Sequence, residues 1–395
     1  MILTESHIIN GASELDELTF KCKNLYNKAN YIIRNEFIIN GNYISKFDMF
    51  TIAKDLDEYK ELPVRIGRGV LRTLDANWKS FFSCIKKWKT NKKLFKGKPN
   101  LPKYLPKNGK FTALFYEAAI LKETKKNKGL GLSSLKMRLP VQTTNKIIEI
   151  QIIPIKNNKY KINVVYDYKQ EELKNDNKQY CGIDLGINNL MTVTSNKQGI
   201  KPLVINGKPL KSINQYYNKQ KAKYQSELPK EIYKSKRINK LSFKRDCKIK
   251  DYLNKATNNI IQFCLDNELN TIIVGYNEFW KQKVNIGKVN NQKFVQIPFE
   301  KMLFMLTYKC EKYGINITTH EESYTSKCSF LDNEVIGKHE EYLGKRIKRG
   351  LFKSSNGNLI NSDVNGSYNI IKKAFPNAFV NGIEGVAVHP YRVNL

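Results

Sequence analysis

Acidic residues are scarce in this 395-residue sequence: 36 Asp and Glu are outnumbered by 68 Lys and Arg, which leaves a formal net charge of +32. A charge of this size destabilises a compact fold by self-repulsion and is usually tolerated because a polyanion screens it. Enzymes that act on small neutral metabolites are therefore disfavoured. Nucleic acid is the predicted partner, and an anionic membrane surface is the second candidate.

Long apolar runs are missing as well. The absence of about 18 consecutive apolar residues and of an N-terminal signal pattern disfavours a membrane-spanning or secreted protein. The seven cysteines are scattered without a CxxC pair, which is typical of buried thiols in a reducing cytoplasm. The 41% of hydrophobic and 11% of aromatic residues still suffice for folded cores, and the length predicts two or three domains.

Hydrophobic periodicity divides the first 180 residues into three parts. A short strand precedes two helical stretches, one beginning at Ser13 and one following Pro63, in which apolar residues are spaced by three and four. A loop rich in Lys, Pro and Gly, Thr90–Lys110, ends this helical part. Runs typical of β-strands follow between Phe111 and Tyr168, and a Lys/Glu/Asn-rich linker covers residues 169–178.

The rest of the chain alternates strands with helices, which predicts an α/β sheet with at least some parallel strands. Strands are predicted at 181–194, 271–275 and 315–319, a basic helical region at 211–265, and helices at 298–313 and 364–374.

Two acidic residues in this second half fit a metal-dependent nuclease. Asp184 lies in the first strand, and Asp363 precedes the last helix. Carboxylates at strand ends bind Mg²⁺, and two Mg²⁺ ions about 3.5–4 Å apart can activate water and stabilise the leaving oxygen of a phosphodiester. Each acid alone also fits a structural role, a turn for Asp184 and an N-cap for Asp363. Their order in so basic a chain favours the catalytic interpretation, which has the layout of an RNase H-type fold.

Four segments, taken in order, resemble the RuvC-like nuclease of the TnpB (OrfB) family. They are GIDLGINNL at 182–190, TIIVGYN at 271–277, YTSK at 324–327 and SDVNGSYNI at 362–370. The helix around Trp78 with the following FKGKP at 95–99, and KSINQYY at 211–217, are also similar to that family, so the resemblance covers nearly the whole chain.

The resemblance implies a transposon-associated RNA-guided DNA endonuclease related to the type V CRISPR effectors. Its partners would be a transposon-derived guide RNA and double-stranded target DNA, which is cut next to a short motif read by the protein. Two Mg²⁺ ions, or Mn²⁺ in their place, would be the cofactors. We expect a bacterial cytoplasmic protein associated with the nucleoid.

The fold class implied by the resemblance is an α/β RuvC (RNase H-like) nuclease domain plus a β-barrel wedge domain with an inserted α-helical recognition domain. The expected boundaries are 1–11 for the first wedge strand, 12–95 for the recognition helices, 96–172 for the wedge barrel and 173–395 for the nuclease.

The middle catalytic acid departs from the family pattern, because Gly275 stands where most relatives carry Glu. Glu322, Glu321 and Glu278 are the candidate replacements, and loss of the acid is the remaining alternative. We favour Glu322, since neighbouring strands of one sheet end side by side and a carboxylate moved there still reaches the metal pair.

The region after Tyr324 departs from the family in a second respect. Relatives usually carry two CxxC pairs that bind zinc, whereas this chain has only Cys328 and His339 before Asp363. Two ligands cannot close a structural zinc site, so we predict no zinc and a basic hairpin within an insert at about 327–360.

Basic, aromatic and polar residues in the helices, the Thr90–Lys110 loop and the insert are the candidate nucleic-acid contacts. They are Arg65, Arg68, Arg72, Lys79, Lys96, Lys98, Lys103, Lys211, Gln215, Tyr216, Lys236, Arg237, Lys244, Arg245, Thr325, Ser326, Lys345, Arg346 and Arg349. Two other functions remain open: a nuclease-inactive, RNA-guided DNA-binding repressor, and an RNase H-like transposase that works without RNA.

Overall fold

The computed structural model describes residues 1–121, 129–277, 292, 295–380, 382–383 and 388–395, and it divides the chain into two compact units. The first unit is Met1–Lys169 and the second is Gln170–Leu395. The sequence placed the start of the nuclease region at residue 173, within the linker that joins the two.

The first unit consists of one strand, a group of helices and then six further strands. Its elements are β1 (Ile2–Asn10), α1 (Ser13–Ile39), α2 (Lys46–Ala53), α3 (Asp57–Lys60), α4 (Val64–Thr90), a 3-10 turn (Lys92–Leu94), β2 (Ala113–Tyr116), a 3-10 turn (Glu117–Ala119), β3 (Ile120–Leu121), β4 (Leu130–Leu132), β5 (Leu135–Leu139), β6 (Ile147–Ile155) and β7 (Lys159–Asp167). The long helix α1 contains no Gly or Pro, and Glu14 and Asp16 in its first turn complement the helix dipole.

The main sheet of this unit has the strand order β1-β7-β6-β2 and is antiparallel throughout. The first strand joins it as predicted, with Ile2 opposite Asp167 and Asn10 opposite Lys159. The four helices are inserted in the sequence between β1 and β2. The prediction of a closed barrel is wrong. Within the described residues, β1 and β2 form the two unpaired edges of the sheet, so its four strands do not close into a barrel.

The helices of the first unit pack on this sheet around one apolar core. Trp78 of α4 is fully buried, and its indole nitrogen donates a hydrogen bond to Asn30 Oδ1 at 3.1 Å. Phe115 and Ile150 of the sheet belong to the same core. The aromatic face of α4 is therefore structural at Trp78, while the arginines on the other face, Arg65 among them, are exposed.

The second unit is an α/β structure. Its elements are β8 (Tyr180–Leu185), β9 (Asn189–Ser195), β10 (Leu203–Asn206), α5 (Lys208–Ser226), α6 (Lys236–Asp266), β11 (Thr271–Gly275), α7 (Phe299–Lys312), β12 (Asn316–His320), β13 (Lys345–Lys348), β14 (Leu351–Lys353), β15 (Leu359–Asn361), α8 (Ser362–Ala374), a 3-10 turn (Pro376–Phe379) and β16 (Tyr391–Val393). The predicted basic helical region is thus two helices, separated by residues 227–235 that include Pro229.

A mixed six-stranded sheet with the order β12-β11-β8-β9-β10-β16 forms the centre of this unit. The strands β12, β11 and β8 are parallel, and β9 is antiparallel to both of its neighbours. The predicted α/β sheet with some parallel strands is therefore present. Because β8, β11 and β12 run in the same direction, their carboxyl ends lie at one edge of the sheet, and Gly275 pairs with His320 there.

The helix α8 packs closely on β8 at Gly182. A Cβ on Gly182 would lie 2.6 Å from the Ser367 carbonyl oxygen and 2.6 Å from Ile371 Cγ1, so only glycine permits this approach. Ser367 Oγ also donates a hydrogen bond to the Gly182 carbonyl at 2.9 Å. These contacts hold the middle of α8 against the middle of β8.

The predicted basic hairpin is confirmed. The strands β13 and β14 pair antiparallel, with Lys345 opposite Lys353, and β15 adds a third strand. Gly350 adopts a φ of +79° in the connecting turn, a conformation that favours glycine.

In the described parts of the chain, every helix is too short or too polar to cross a lipid bilayer.

Candidate active site

Asp184 lies near the carboxyl end of β8, between the buried Ile183 and Leu185. Because side chains alternate along a strand, its carboxylate points to the opposite face, where α8 packs. A Cβ on Gly366 of α8 would lie 3.3 Å from Asp184 Oδ2, so the glycine leaves room beside the carboxylate. Burial and the nearby negative charges of Asp363 and Glu322 raise the pKa of Asp184 well above its usual range.

Asp363 is the second residue of α8, and it is not the cap of that helix. Asn361 performs the capping, since its Oδ1 accepts hydrogen bonds from the backbone nitrogens of Asp363 at 3.0 Å and Val364 at 3.2 Å. The carboxylate of Asp363 is therefore available for other contacts. Asn189 Nδ2 donates to its Oδ2 at 2.7 Å, and Arg346 Nη2 lies 3.5 Å from its Oδ1.

Glu322 follows β12, and its carboxylate lies over the end of the neighbouring strand β11. Its Oε2 is 3.0 Å from the position that a Cβ on Gly275 would occupy. Asn277 holds the segment, because its Oδ1 accepts from the Glu322 backbone nitrogen at 3.2 Å and its Nδ2 donates to Glu322 Oε1 at 3.4 Å. Burial and the charge of Glu321 raise the pKa of Glu322 to about 7.

Glu321 and Glu278 are the two other candidates for the middle acid. Glu321 is exposed, and its Oε2 accepts from Lys373 Nζ at 2.5 Å. That hydrogen bond lowers the pKa of Glu321. Glu278 lies outside the described residues. Of Glu321 and Glu322, only Glu322 contributes to the electrostatic environment that raises the pKa of Asp184.

The chemistry of these side chains fits divalent metal ions. Asp363 and Glu322 lie near enough to Asp184 for their charges to raise its pKa, and the raised pKa values of Asp184 and Glu322 reflect burial and negative charge that a cation would compensate. Within the described residues, no three acidic, His or Cys side chains are already arranged as a complete metal-binding group. Mg²⁺ suits such an incomplete oxygen donor set, because it usually keeps several waters and shares phosphate ligands with its substrate.

The two potential zinc ligands are engaged in local hydrogen bonds. The Cys328 thiol is buried and donates to the Gly337 carbonyl at 3.6 Å, whereas the half-buried His339 donates from Nε2 to the Val335 carbonyl at 2.7 Å. Burial raises the pKa of the Cys328 thiol, which disfavours the thiolate that zinc requires. The absence of zinc stays a prediction that metal analysis can check.

Most of the predicted nucleic-acid contacts are exposed side chains. These are Arg65, Arg68, Arg72, Lys79, Lys96, Lys98, Lys103, Gln215, Tyr216, Lys236, Arg237, Lys244, Ser326, Lys345, Arg346 and Arg349. Three of them are also paired with acids: Lys79 with Asp75 at 2.9 Å, Arg237 with Glu227 at 3.6 Å, and Arg346 with Asp363 at 3.5 Å.

Three predicted contacts are less accessible. Thr325 is buried, and its hydroxyl donates to the Glu322 carbonyl at 2.8 Å, so it supports the acid instead of facing nucleic acid. Lys211 is half-buried and donates to Asn188 Oδ1 at 2.9 Å. Arg245 is also half-buried, and its Nε donates to Asn214 Oδ1 at 2.7 Å.

Four residues of the site did not emerge from the sequence reasoning. They are Asn189, Asn277, Asn361 and Arg392, whose Nη2 donates to Asn189 Oδ1 at 3.0 Å. The role of Asn361 could have been predicted, since Asn directly before a helix is a preferred N-cap. Asn277 and Arg392 carried none, because their partners are 45 and 203 residues away in the sequence.

Two segments match family models. Residues 163–281 match OrfB_IS605, described as a probable transposase, and residues 299–370 match the Cas12f1-like TNB domain. No curated protein matches the chain.

Solved structures are similar in fold at low sequence identity. The Cas12f1 chain of a complex with sgRNA and target DNA is 17% identical, with a TM-score of 0.56 over 91% of this chain and 82% of that one. The mini-RNA-guided endonuclease Cas_phi3 is 11% identical, with a TM-score of 0.50 over 94% of this chain and 92% of that one. The two family matches agree with the four motifs that resemble the TnpB (OrfB) family, and the solved structures are similar to this chain in fold.

Proposed function

We propose that this chain is an RNA-guided, Mg²⁺-dependent DNA endonuclease encoded by a transposon, with a RuvC-like active site formed by Asp184, Glu322 and Asp363. One observation supports the proposal: Asp184, Glu322 and Asp363 come from distant parts of the sequence, and the charges of Glu322 and Asp363 are near enough to raise the pKa of Asp184. Two of them, Asp184 and Glu322, have raised pKa values. Buried acids that repel each other destabilise a fold, and their retention in so basic a chain favours a catalytic role.

The three acids would hold two Mg²⁺ ions, which supply an activated water and stabilise the leaving oxygen of the cleaved phosphodiester. Asn189 orients the Asp363 carboxylate by donating to its Oδ2 at 2.7 Å. Asn277 fixes the backbone and carboxylate of Glu322. Arg346 neutralises part of the charge on Asp363 and is placed to attract a phosphate of the bound strand.

Nucleic-acid partners are proposed from the charge and from the relatives. The similar Cas12f1 chain was solved in a complex with sgRNA and target DNA, and Cas_phi3 is an RNA-guided endonuclease. In this chain, a net charge of +32 and the exposed lysines and arginines support binding of a guide RNA and of double-stranded target DNA. Residues 12–95 would serve as the recognition region, residues 96–172 as the wedge and residues 327–360 as the basic insert. The protein would act in the bacterial cytoplasm, at the nucleoid.

A nuclease-inactive repressor is the second candidate. Gly275 at the usual position of the middle acid favours it, whereas the approach of Glu322 to that position counts against it. An RNA-independent transposase is the third candidate, and the description of the matching family as a probable transposase favours it.

One experiment separates the three functions. The chain is purified with its native flanking transcript and incubated with a guide-matched plasmid library, with and without Mg²⁺, beside Asp184→Ala and Asp363→Ala. RNA- and Mg²⁺-dependent cleavage that both variants abolish supports the proposal. Binding without cleavage establishes the repressor instead, and cleavage without the transcript establishes the transposase.

A further inference from the structure

The two basic helices α5 and α6 enclose a cleft of about 600 Å³ in the second unit. Its walls differ in chemistry. The α5 wall presents Tyr216, Tyr217 and Tyr224, and the α6 wall presents basic side chains that include Lys240 and Lys244. None of these residues belongs to the site formed by the three acids.

Helical spacing produces the two walls. On α6, Arg237, Lys240, Lys244 and Lys248 recur every three or four residues, so they lie in one stripe along the helix. On α5, Tyr217 and Tyr224 are seven residues apart and so share one face, and Tyr216 borders the cleft beside them. A lysine stripe therefore faces an aromatic stripe across the cleft.

The floor of the cleft is held in place by internal hydrogen bonds. Arg245 donates from Nε to Oδ1 of the buried Asn214 at 2.7 Å and from Nη2 to the Gln296 carbonyl at 3.3 Å. Its guanidinium carbon lies 5.0 Å from the Tyr217 ring centroid. The Arg245–Tyr217 pair is thus fixed before any ligand arrives, which lowers the entropy cost of binding.

Tyr216 and the lysines, in contrast, remain accessible. The Tyr216 side chain is 62% exposed. No acidic residue lines the cleft, and no carboxylate of the described chain forms an ion pair with Lys240, Lys244 or Lys248. Arg237 differs, because its Nη1 lies 3.6 Å from Glu227 Oε2.

We propose that this cleft binds a single-stranded segment of nucleic acid, with an unpaired base stacked on Tyr216 and neighbouring phosphates on Lys240, Lys244 and Lys248. Proteins that bind unpaired strands combine exposed aromatic rings with basic residues. An unpaired base can stack on such a ring, whereas in a duplex the faces of the bases are already stacked on neighbouring bases. The inference rests on the proposed function only in taking nucleic acid as the partner. DNA and RNA share this chemistry and differ at the 2′-hydroxyl.

Fluorescence anisotropy with the full chain tests the cleft. The probes are labelled oligo-dT and oligo-U strands of about 12 nucleotides, within the site sizes of single-strand binders, and a duplex of equal length. Tyr216→Ala is expected to weaken binding of single strands by about tenfold while leaving the duplex unchanged. Tyr216→Phe and Tyr216→Trp keep a stacking ring and should bind like the unmodified chain. Tyr233→Ala removes another exposed tyrosine, outside the cleft, and is the matched control.

Charge and identity of the strand are tested in the same assay. Lys244→Gln should reduce the slope of log affinity against log salt by about 1, because one phosphate contact is lost. Tighter binding of oligo-U identifies RNA as the occupant, and tighter binding of oligo-dT identifies DNA. Either preference supports the cleft if it depends on Tyr216.

Two results would overturn the inference: unchanged single-strand binding by Tyr216→Ala, or an equal loss for the single strand and the duplex. Failure of the proposed function looks different. If the chain never cleaves DNA but binds single strands through Tyr216, the cleft proposal is supported and the nuclease proposal is refuted. If the chain cleaves DNA under RNA guidance but binds single strands independently of Tyr216, the nuclease proposal is supported and the cleft proposal is refuted.

Discussion

The Glu322 carboxylate occupies the space that a side chain on Gly275 would require, with Oε2 3.0 Å from the position of the missing Cβ. The glycine and the glutamate therefore act as a pair across the parallel strands β11 and β12. A side chain at position 275 would also lie 2.5 Å from Ile370 Cδ1, so the glycine leaves room for both the Glu322 carboxylate and Ile370.

Replacing Glu322 should abolish most DNA cleavage. Glu322→Gln keeps the shape of the side chain but removes the charge that would hold the metal. We expect the cleavage rate to fall by about 100-fold or more, because replacing residues that only contact metal ligands already costs about 10- to 100-fold. Single-turnover cleavage of a guide-matched duplex measures the effect. Glu321→Gln is the matched control, since Glu321 pairs with Lys373 at the surface. Equal activity of Glu322→Gln and the unmodified chain would remove Glu322 from the site.

Divalent metal should stabilise the chain through the same acids. Asp184 and Glu322 have raised pKa values because they are buried near other negative charges, and a bound cation relieves that repulsion. We expect Mg²⁺ or Mn²⁺ to raise the Tm of the unmodified chain, with little effect on Asp184→Asn. Addition of EDTA should reverse the shift. A Tm increase of the same size in Asp184→Asn would place the metal elsewhere.

Arg392 should influence cleavage through Asn189. It donates to Asn189 Oδ1 at 3.0 Å, which directs the amide nitrogen of Asn189 to Asp363. We expect Arg392→Ala to lower the cleavage rate by about 10-fold, in the range of outer-shell changes, and to raise the Mg²⁺ concentration needed for half-maximal rate. Tyr391→Ala, in the same strand, is the control. A lower rate with an unchanged Mg²⁺ requirement would contradict the positioning role.

Lys309 should give the second unit a characteristic dependence on pH. It is buried between α7 and α6, where its Nζ donates to the Asn254 carbonyl, Asn254 Oδ1 and Thr257 Oγ1 at 2.7–3.0 Å. Burial, and to a lesser extent the charge of Lys312, lowers the pKa of Lys309 to about 8. Between about pH 8 and about pH 10.4 the unfolded chain therefore holds a proton that the folded chain has released, so stability rises with pH.

The variant Lys309→Met removes this titration. The difference in the free energy of unfolding between the unmodified chain and Lys309→Met should change by about 2–3 kcal/mol across that window, in favour of the unmodified chain at high pH. Urea unfolding at several pH values measures it, and Lys301→Met, at an exposed position of α7, is the control. A constant difference across the window would show that the buried amine does not titrate there.

Elements with a strong local pattern could be predicted from the sequence. The apolar run at Thr271–Gly275 and the amphipathic helix that begins at Phe299 were found within a residue or two. Asp184 and Asp363 were identified because each lies inside a motif with neighbours of definite character. Glu322 was one of three candidates, because the sequence does not reveal which carboxylate turns to the neighbouring strand.

Features that depend on long-range packing could not be predicted. The open edges of the first sheet follow from the absence of pairing between β1 and β2, which no local pattern encodes. Thr325 was one of the candidate nucleic-acid contacts, yet it is buried and its hydroxyl donates to the Glu322 carbonyl. Arg245 likewise sits in a basic helix but is held by Asn214 and Gln296.

The pairing of β1 with β7 has a consequence for folding kinetics. All nine residues of β1 find their partners among Lys159–Asp167, so the sheet brings together segments separated by four helices and five strands. Contacts this distant in sequence form slowly, because the loop between them must close before any pairing energy is gained. The helices α1 and α4 are local structures that form earlier. We expect refolding of the first unit to show a fast helical phase and a slow final phase in which β1 joins the sheet.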